Sequence, residues 1–256
     1  MLEQFKKADQ AFVIKVKDWI NQGLYKNKIK VTNFLSPHEQ QILTTLVNQQ
    51  PELHLLFEGG FKNAERCRGI IIPGYFSLED LGSQVIGLEI KYNKRFFTPE
   101  HRQILGSLMA LKIDRSVIGD IVFLENDKIY LAICQEFLPF IFENFSKVGQ
   151  HSISLIEAEL EQIEKIQNFE ELEVIVSSMR LDVMVAAVIN APRSRVHDQI
   201  QQGFVQLNHS VEKNHSQACQ VGDLISIKGY GRYQLLSRKR ITRNKKIVIQ
   251  VGKAKK

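Results

Sequence analysis

The most informative stretch of the chain is residues 179–208, which read MRLDVMVAAVINAPRSRVHDQIQQGFVQLN. Apolar side chains repeat there at helical spacing, and the stripe consists of Leu181, Val185 and Val188. Ala191-Pro192 should end this first helix, and Ser194 can cap a second one. Gly203 follows where a residue in the left-handed conformation is expected to end a helix. The stretch therefore predicts two short helices joined by a tight break.

The charge of the chain changes sign along its length. Residues 177–256 contain 15 Lys and Arg against four acidic residues, a net charge of +11. Residues 1–176 carry −5, so that the whole chain carries +6. The basic part is the natural candidate for a polyanionic partner. Arg238–Lys246 and Lys253–Lys256 supply much of the excess, and a solubilising basic tail is the alternative interpretation.

A small sheet is expected after the helix pair, with strands at 204–208 and 221–227. This segment resembles the RNA-binding domain first seen in ribosomal small-subunit protein four, here called the S-four-type (alpha-L) domain. The matching elements are Arg180-Leu181-Asp182, Ser194-Arg195, Ile200, Gly203, Val205, Asn208 and Val221-Gly222-Asp223. Several elements in the right order are a more specific signal than any single tripeptide.

The resemblance implies that basic residues at the starts of the two helices face structured RNA. Helix N-termini offer free N–H groups to phosphate oxygens, and arginine adds bidentate contacts. Asp182 would repel phosphate and is expected to be a scaffold carboxylate, whereas Asn208 could touch RNA or only hold a turn. The candidate RNA-binding residues are Arg180, Arg193, Ser194, Arg195, Asn208, Lys213, Lys228 and Arg232.

Helices followed by a strand pair are expected in residues 1–82. An apolar face at helical spacing covers 10–25, and Ser36-Pro37-His38-Glu39 is a helix start signal. The predicted strands are Leu53–Phe57 and Arg68–Ile72.

The next part of the chain predicts the order β-α-β-β-α-β, which is that of a ferredoxin-like split βαβ unit. Its third strand lacks the aromatic platform with which RNA recognition motifs stack bases, and only Tyr130 could serve. Basic residues that could contact phosphate or simply lie on the surface are Arg66, Arg68, His101, Arg102 and Arg115.

The predicted fold class is α+β, with an N-terminal α/β domain, a ferredoxin-like (RRM-like) middle domain and a small C-terminal S-four-type domain. Residues 157–173 contain seven glutamates and one lysine, which predicts an acidic helical connector or linker. The predicted divisions are 1–82, 83–160, the connector 161–176, and 177–256 with its basic tail.

Nearly the whole chain resembles the YlmH family of Gram-positive bacteria. The supporting residues outside the last domain include Phe57-Glu58-Gly59-Gly60, Ala64-Glu65-Arg66, Leu105-Gly106-Ser107-Leu108, Ile113-Asp114-Arg115 and Gly119-Asp120. The resemblance implies a protein that binds rRNA and tRNA on the large ribosomal subunit, with peptidyl-tRNA, in ribosome rescue and quality control. A cell-division-associated interaction protein that uses its N-terminal domains is the alternative, because the family's genes often lie beside division genes.

Enzyme functions have weaker support in the sequence. Met179-Arg-Leu-Asp182 resembles the Gly-Arg-Leu-Asp of pseudouridine synthases, but the residues expected after the aspartate are absent. We find no P-loop, no Gly-x-Gly-x-x-Gly after a strand and no Gly-x-Ser-x-Gly elbow. A metal site around His209, His215 and Cys219 lacks closely paired ligands. We therefore expect a non-catalytic protein without cofactor or metal.

The three cysteines are too few and too widely spaced for a disulfide framework or a thiolate metal site. No apolar run reaches the ~18–20 residues that cross a bilayer, and the N-terminus has no secretory pattern. We expect a cytoplasmic monomer without membrane insertion, with RNA, the large ribosomal subunit and division or rescue proteins as partners.

Overall fold

Buried apolar side chains form separate cores in two parts of the molecule. The computed structural model describes residues 5, 7–76, 81–124, 127–165 and 169–254. Contacts along the chain divide it into two compact units, Met1–Lys165 and Ile166–Lys256. Within the described residues no helix is both long and apolar enough to cross a membrane.

The first unit begins with two helices packed on a three-stranded antiparallel sheet of order β1-β3-β2. Its elements are α1 (Gln10–Lys26), β1 (Lys30–Leu35), α2 (Pro37–Val47), β2 (Leu53–Glu58) and β3 (Cys67–Pro73). The predicted helix start is confirmed, because Ser36 and Glu39 form a reciprocal capping box. Strand β1 was not predicted; it pairs with β3 and makes the expected strand pair a sheet of three.

The rest of the first unit has the expected β-α-β-β-α-β order around a five-stranded antiparallel sheet. Its elements are β4 (Val85–Tyr92), α3 (His101–Ala110), β5 (Ile118–Phe123), β6 (Ile129–Cys134), α4 (Leu138–Asn144), β7 (Lys147–Val148) and β8 (His151–Glu157). The strand order is β5-β6-β4-β8-β7, hereafter the middle sheet. The short edge strand β7 was not predicted.

Both faces of the middle sheet are covered. On one face Leu131 and its neighbours pack against helix residues such as Ile104. On the other face Tyr130, which is 8% exposed, lies in a cluster with Phe34 of β1. The fit is close there, because a Cβ added to Gly119 would lie 2.7 Å from the Phe34 ring. The N-terminal sheet therefore closes the face on which Tyr130 lies.

A buried arginine fastens the two parts of the first unit. Arg68 on β3 is 2% exposed, and its guanidinium donates to the carbonyl oxygens of Thr32 at 2.7 Å and Gln84 at 2.6 Å. It also holds the Glu136 carboxylate in a bidentate pair at 2.7 and 2.8 Å. Residues 1–82 and 83–160 thus lie in one contact unit, and their separation as domains stays a prediction.

The second unit packs two short helices on a six-stranded antiparallel sheet of order β11-β10-β12-β13-β14-β9. Its elements are β9 (Phe169–Val176), α5 (Leu181–Ile189), α6 (Arg193–Gln201), β10 (Val205–Leu207), β11 (Ser210–Val211), β12 (Leu224–Ile227), β13 (Gly231–Ile241) and β14 (Ile247–Ala254). The helix pair lies where the sequence predicts it, and Gly203 ends α6 with a φ of +75°.

Two expectations about this unit are wrong. Residues 169–176 of the predicted helical connector form β9, in which Leu172, Val174 and Val176 face the core. The exposed residues between them are Glu173 and Ile175, and Glu170 and Glu171 precede them, so the acidic residues hid an alternation with period two. The predicted basic tail is wrong for residues 238–246, which lie in the hairpin of β13 and β14, and for Lys253, which lies in β14. Lys255 and Lys256 lie outside the described residues.

Replacing Arg68 with Met should lower the free energy of unfolding of the first unit by about 2–4 kcal/mol, because two buried carbonyl oxygens lose their donor. Urea unfolding followed by the fluorescence of Trp19, the single tryptophan of the chain, measures this loss. Arg102→Met is the matched control, since Arg102 pairs with Glu100 at 2.8 Å on the surface. It should cost less than about 1 kcal/mol. Equal losses in both variants would contradict a fastening role for Arg68.

Candidate nucleic-acid interface

The N-terminal ends of α5 and α6 meet at one buried carboxylate. Asp182 in the first turn of α5 is fully buried. Arg180 donates to its two oxygens at 3.1 and 3.2 Å, and the Arg193 guanidinium donates to Oδ2. His197 Nε2 lies 3.0 Å from Oδ2, and the backbone N–H of Val183 donates to Oδ1 at 3.0 Å. Asp182 therefore has the expected scaffold role.

The Asp182 carboxylate keeps its negative charge at neutral pH. Burial would raise the pKa of Asp182, but the hydrogen bonds from Arg180, Arg193 and His197 outweigh it and hold the pKa well below its usual range. The side chains of Arg180 and Arg193 remain 40% and 54% exposed. One carboxylate thus orients two arginines whose outer sides can still reach a phosphate group.

Two histidines complete this cluster. The rings of His197 and His215 stack with centroids 4.5 Å apart, and His215 Nδ1 lies 3.3 Å from an Arg180 nitrogen. Ligand atoms of Asp182, His197 and His215 lie within 4.8 Å of one another, which a metal ion could use. A divalent cation there would meet two guanidinium groups already bound to Asp182. The donor set therefore fits a hydrogen-bonded scaffold better than a metal centre.

Among the described residues, His209, His215 and Cys219, which the sequence offered as possible metal ligands, do not form one group of ligands. His215 joins the Asp182 cluster, whereas Cys219 is buried beside it in the core of the second unit. Burial raises the pKa of the Cys219 thiol to about 12, so this side chain stays protonated.

The first turn of α6 presents further candidate residues to solvent. Ser194 and Arg195 are exposed, and within the described residues the Arg195 side chain is in no ion pair. Ser194 does not cap the helix as expected, because α6 begins at Arg193 with Pro192 as its N-cap. Proline holds the extended backbone of that position. Lys213 is exposed in the loop after β11. Its backbone carbonyl accepts a hydrogen bond from the Gln201 side chain of α6 at 3.2 Å.

The remaining candidate residues differ in how far their side chains are exposed for contact with RNA. Asn208 adopts a φ of +50°, donates to Asp223 at 2.8 Å and accepts from the Leu224 N–H at 2.9 Å. Its amide therefore holds the turn after β10. Lys228 is exposed and lies 4.5 Å above the Phe204 ring, and Arg232 is half-buried on β13.

A second basic surface escaped the sequence-based selection of site residues. The tip of the hairpin β13–β14, hereafter the basic hairpin, exposes Arg238, Lys239, Arg240, Arg243, Lys245 and Lys246. Residues 238–246 contain no acidic side chain, and within the described structure none of the six cations is in an ion pair. The run Ile247-Val-Ile-Gln-Val251 is a strand signal that would have marked the hairpin.

Of the other basic candidates, three use their guanidinium groups in hydrogen bonds within the first unit. Arg68 is buried, Arg66 donates to the carbonyl of Phe34 at 2.9 Å, and Arg115 donates to the carbonyl of Ile118. These side chains serve the protein's own packing.

Two family models match the first unit of the chain. Residues 8–76 match the family model "YlmH, N-terminal", and residues 79–162 match the model "Putative RNA-binding domain in YlmH". The chain is 30% identical over 234 residues to "Ribosome-associated protein quality control protein P2" of Bacillus subtilis, covering 91% of this chain and 90% of that protein.

A solved structure is similar as well. The "Cell division protein ylmH from Streptococcus pneumoniae" superposes with a TM-score of 0.52 at 28% sequence identity. The match covers 60% of this chain and 93% of the pneumococcal one.

Replacing Asp182 with Asn should destabilise the second unit by about 1–3 kcal/mol at neutral pH, because Arg180 and Arg193 lose a charged acceptor. The lowered pKa means that this stabilisation is fully present above the ordinary value of 3.8 and is lost as the pH falls toward the folded-state pKa. Hydrogen exchange of the α5 and α6 amides from pH 7 to pH 3 measures it.

Asp198→Asn is the matched control for this prediction, since Asp198 is exposed on α6 and its carboxylate is in no ion pair within the described part of the chain. The control should change stability by less than about 0.5 kcal/mol. A difference between Asp182→Asn and wild type that persists unchanged at pH 3 would contradict the charged scaffold.

Proposed function

Because the chain belongs to the YlmH family, we propose that it is a non-catalytic protein that docks on the large ribosomal subunit. There it binds structured rRNA beside peptidyl-tRNA and acts in ribosome rescue and quality control. The name of the Bacillus subtilis relative supports a role in quality control on the ribosome. In this proposal the second unit makes the principal RNA contact.

The carrying observation is the pair of arginines that Asp182 fixes at the starts of α5 and α6. Helix N-termini direct N–H groups and a partial positive charge outward, and both arginines keep exposed donors. Exposed Arg195 stands in the same turn of α6. Such a surface binds phosphate oxygens and reads the shape of an RNA rather than its sequence.

The basic hairpin extends this interface within the second unit. Its six exposed cations lie on a structured strand pair rather than on a solubilising tail. Cations held by a sheet lose less conformational freedom on binding than those on an unstructured segment. We assign the hairpin to backbone contacts that add affinity and salt dependence.

The proposal includes two finer fold assignments. The strand order β5-β6-β4-β8 supports a ferredoxin-like (RRM-like) middle domain. The helix pair α5–α6 with the sheet that follows it supports the S-four-type assignment for the second unit.

Two other functions receive less support. A pseudouridine synthase would need Asp182 as its catalytic aspartate, yet this carboxylate is fully buried and bound by two arginines and a histidine. The similar pneumococcal structure bears the name of a cell division protein. A division-associated interaction protein would use the first unit as its binding surface. A measurement of binding to ribosomes distinguishes this role from the proposed ribosomal function.

The salt dependence of binding to purified 50S subunits with tRNA tests the proposed interface. Charge reversal at Arg180 or Arg193 would place a second carboxylate beside Asp182 and disturb the fold. The better variant is Arg238→Gln/Arg240→Gln/Arg243→Gln, whose side chains are exposed. Co-sedimentation across a salt series should show that the slope of log K against log salt falls in magnitude by about 2–3.

A matched loss of three charges in the first unit is the control. Lys26→Gln/Lys28→Gln/Lys62→Gln removes exposed cations from that unit and should leave the slope within about 0.5 of wild type. Equal effects of the two triple variants would contradict docking through the second unit, and folded wild type that does not sediment with 50S would contradict the ribosomal role.

A further inference from the structure

The middle sheet cannot offer RNA the face that RNA recognition motifs use. Those domains stack bases on aromatic side chains that are exposed on the sheet. Here Tyr130 and Val122 lie on the covered face and are less than one tenth exposed, beneath Phe34 of the N-terminal sheet. An RNA contact in this part of the chain therefore needs another surface.

One end of the middle sheet gathers aromatic and basic side chains. β4 ends there at Tyr92, and residues 91–97, which read KYNKRFF, include its last two residues and the loop that follows. Ile90 of β4 pairs with Ile129, which pairs with Phe123, so β5 ends and β6 begins at the same end. The rings at this end are Tyr92, Phe96, Phe97, His101, Phe123 and His151.

The loop after β4 has a defined shape that exposes one ring and anchors the next. Phe97 stacks on His151 with centroids 4.1 Å apart and packs against the core. The Asn93 side chain accepts from the Arg95 N–H at 3.1 Å, and the Phe96 N–H donates to the Asn93 carbonyl at 3.2 Å. Phe96 itself is 76% exposed, the most exposed phenylalanine of the described structure.

Basic residues outnumber acidic ones at this end of the middle sheet, whereas residues 1–176 as a whole carry a net negative charge. The described charged residues at this end of the sheet are Lys91, Lys94, Arg95, Arg102, Lys128, Glu89, Glu100 and Asp127. Ion pairs join Lys91 to Glu89, Arg102 to Glu100, and Lys94 to Asp127 at 3.5 Å. Within the described residues the Arg95 side chain is in no ion pair, and it neighbours Phe96 directly.

We propose that Phe96 and Arg95 form a second RNA site, which takes one unpaired nucleotide. The ring stacks on the base, and the guanidinium binds the adjoining phosphate group. This combination of an exposed ring and a neighbouring cation is what single-stranded nucleic acid requires, and it reads no base sequence. The site rests on the proposed RNA-binding function but uses only side chains of the first unit.

The test compares full-length proteins on two labelled RNAs. One is a 12-base-pair hairpin with an eight-nucleotide unpaired loop that contains 2-aminopurine, and the other is a blunt 12-base-pair duplex. Phe96→Ala should weaken hairpin binding by about 5- to 100-fold and abolish the quenching of 2-aminopurine, while duplex binding stays within about twofold. Phe142→Ala, which removes an exposed ring from α4, should leave both RNAs bound as by wild type.

The contrary results are distinct. Wild-type binding of the hairpin that Phe96→Ala leaves unchanged would overturn the nucleotide site alone and assign the exposed ring to a protein contact. An equal loss on hairpin and duplex would also overturn stacking on an unpaired base. Failure of wild type to bind either RNA would overturn the proposed RNA-binding function together with this site.

Discussion

The fully buried carboxylate of Asp182 is the constraint on which the second unit depends. A buried charge is costly unless it is paired, and here two arginines, a histidine and a backbone N–H satisfy it. The same contacts fix the junction of α5 and α6 and decide where Arg180 and Arg193 point. In the proposed function, the hydrogen bonds that stabilise this unit also orient the two arginines before RNA binds.

In the first unit the packing of the N-terminal sheet on the middle sheet is the main constraint. The middle sheet has the element order of an RNA-binding fold, but the N-terminal sheet covers its open face, with Phe34 against the backbone of Gly119. The bidentate contact of Arg68 with Glu136 holds the two sheets together. The proposed nucleotide site in this unit therefore lies on a loop, where the exposed Phe96 ring neighbours Arg95 in sequence.

The sequence predicts those features that depend on local patterns. The α5–α6 pair, the capping box of Ser36 and the β-α-β-β-α-β order all follow from periodicity and cap residues. Strands with strongly charged exposed faces were missed, because glutamates in β9 and cations in β13 concealed the alternation. Contacts between distant residues could not be foreseen either: no spacing rule brings His197 and His215 together, or places Phe34 over Tyr130.

The most direct test of docking through the second unit is ultraviolet cross-linking of the wild-type chain to 50S subunits, followed by mass spectrometry of the peptides that carry nucleotide adducts. Such docking predicts adducts on peptides from 180–195 and from the basic hairpin at 238–246. Adducts confined to residues 7–76, or on neither segment of the second unit, would contradict it.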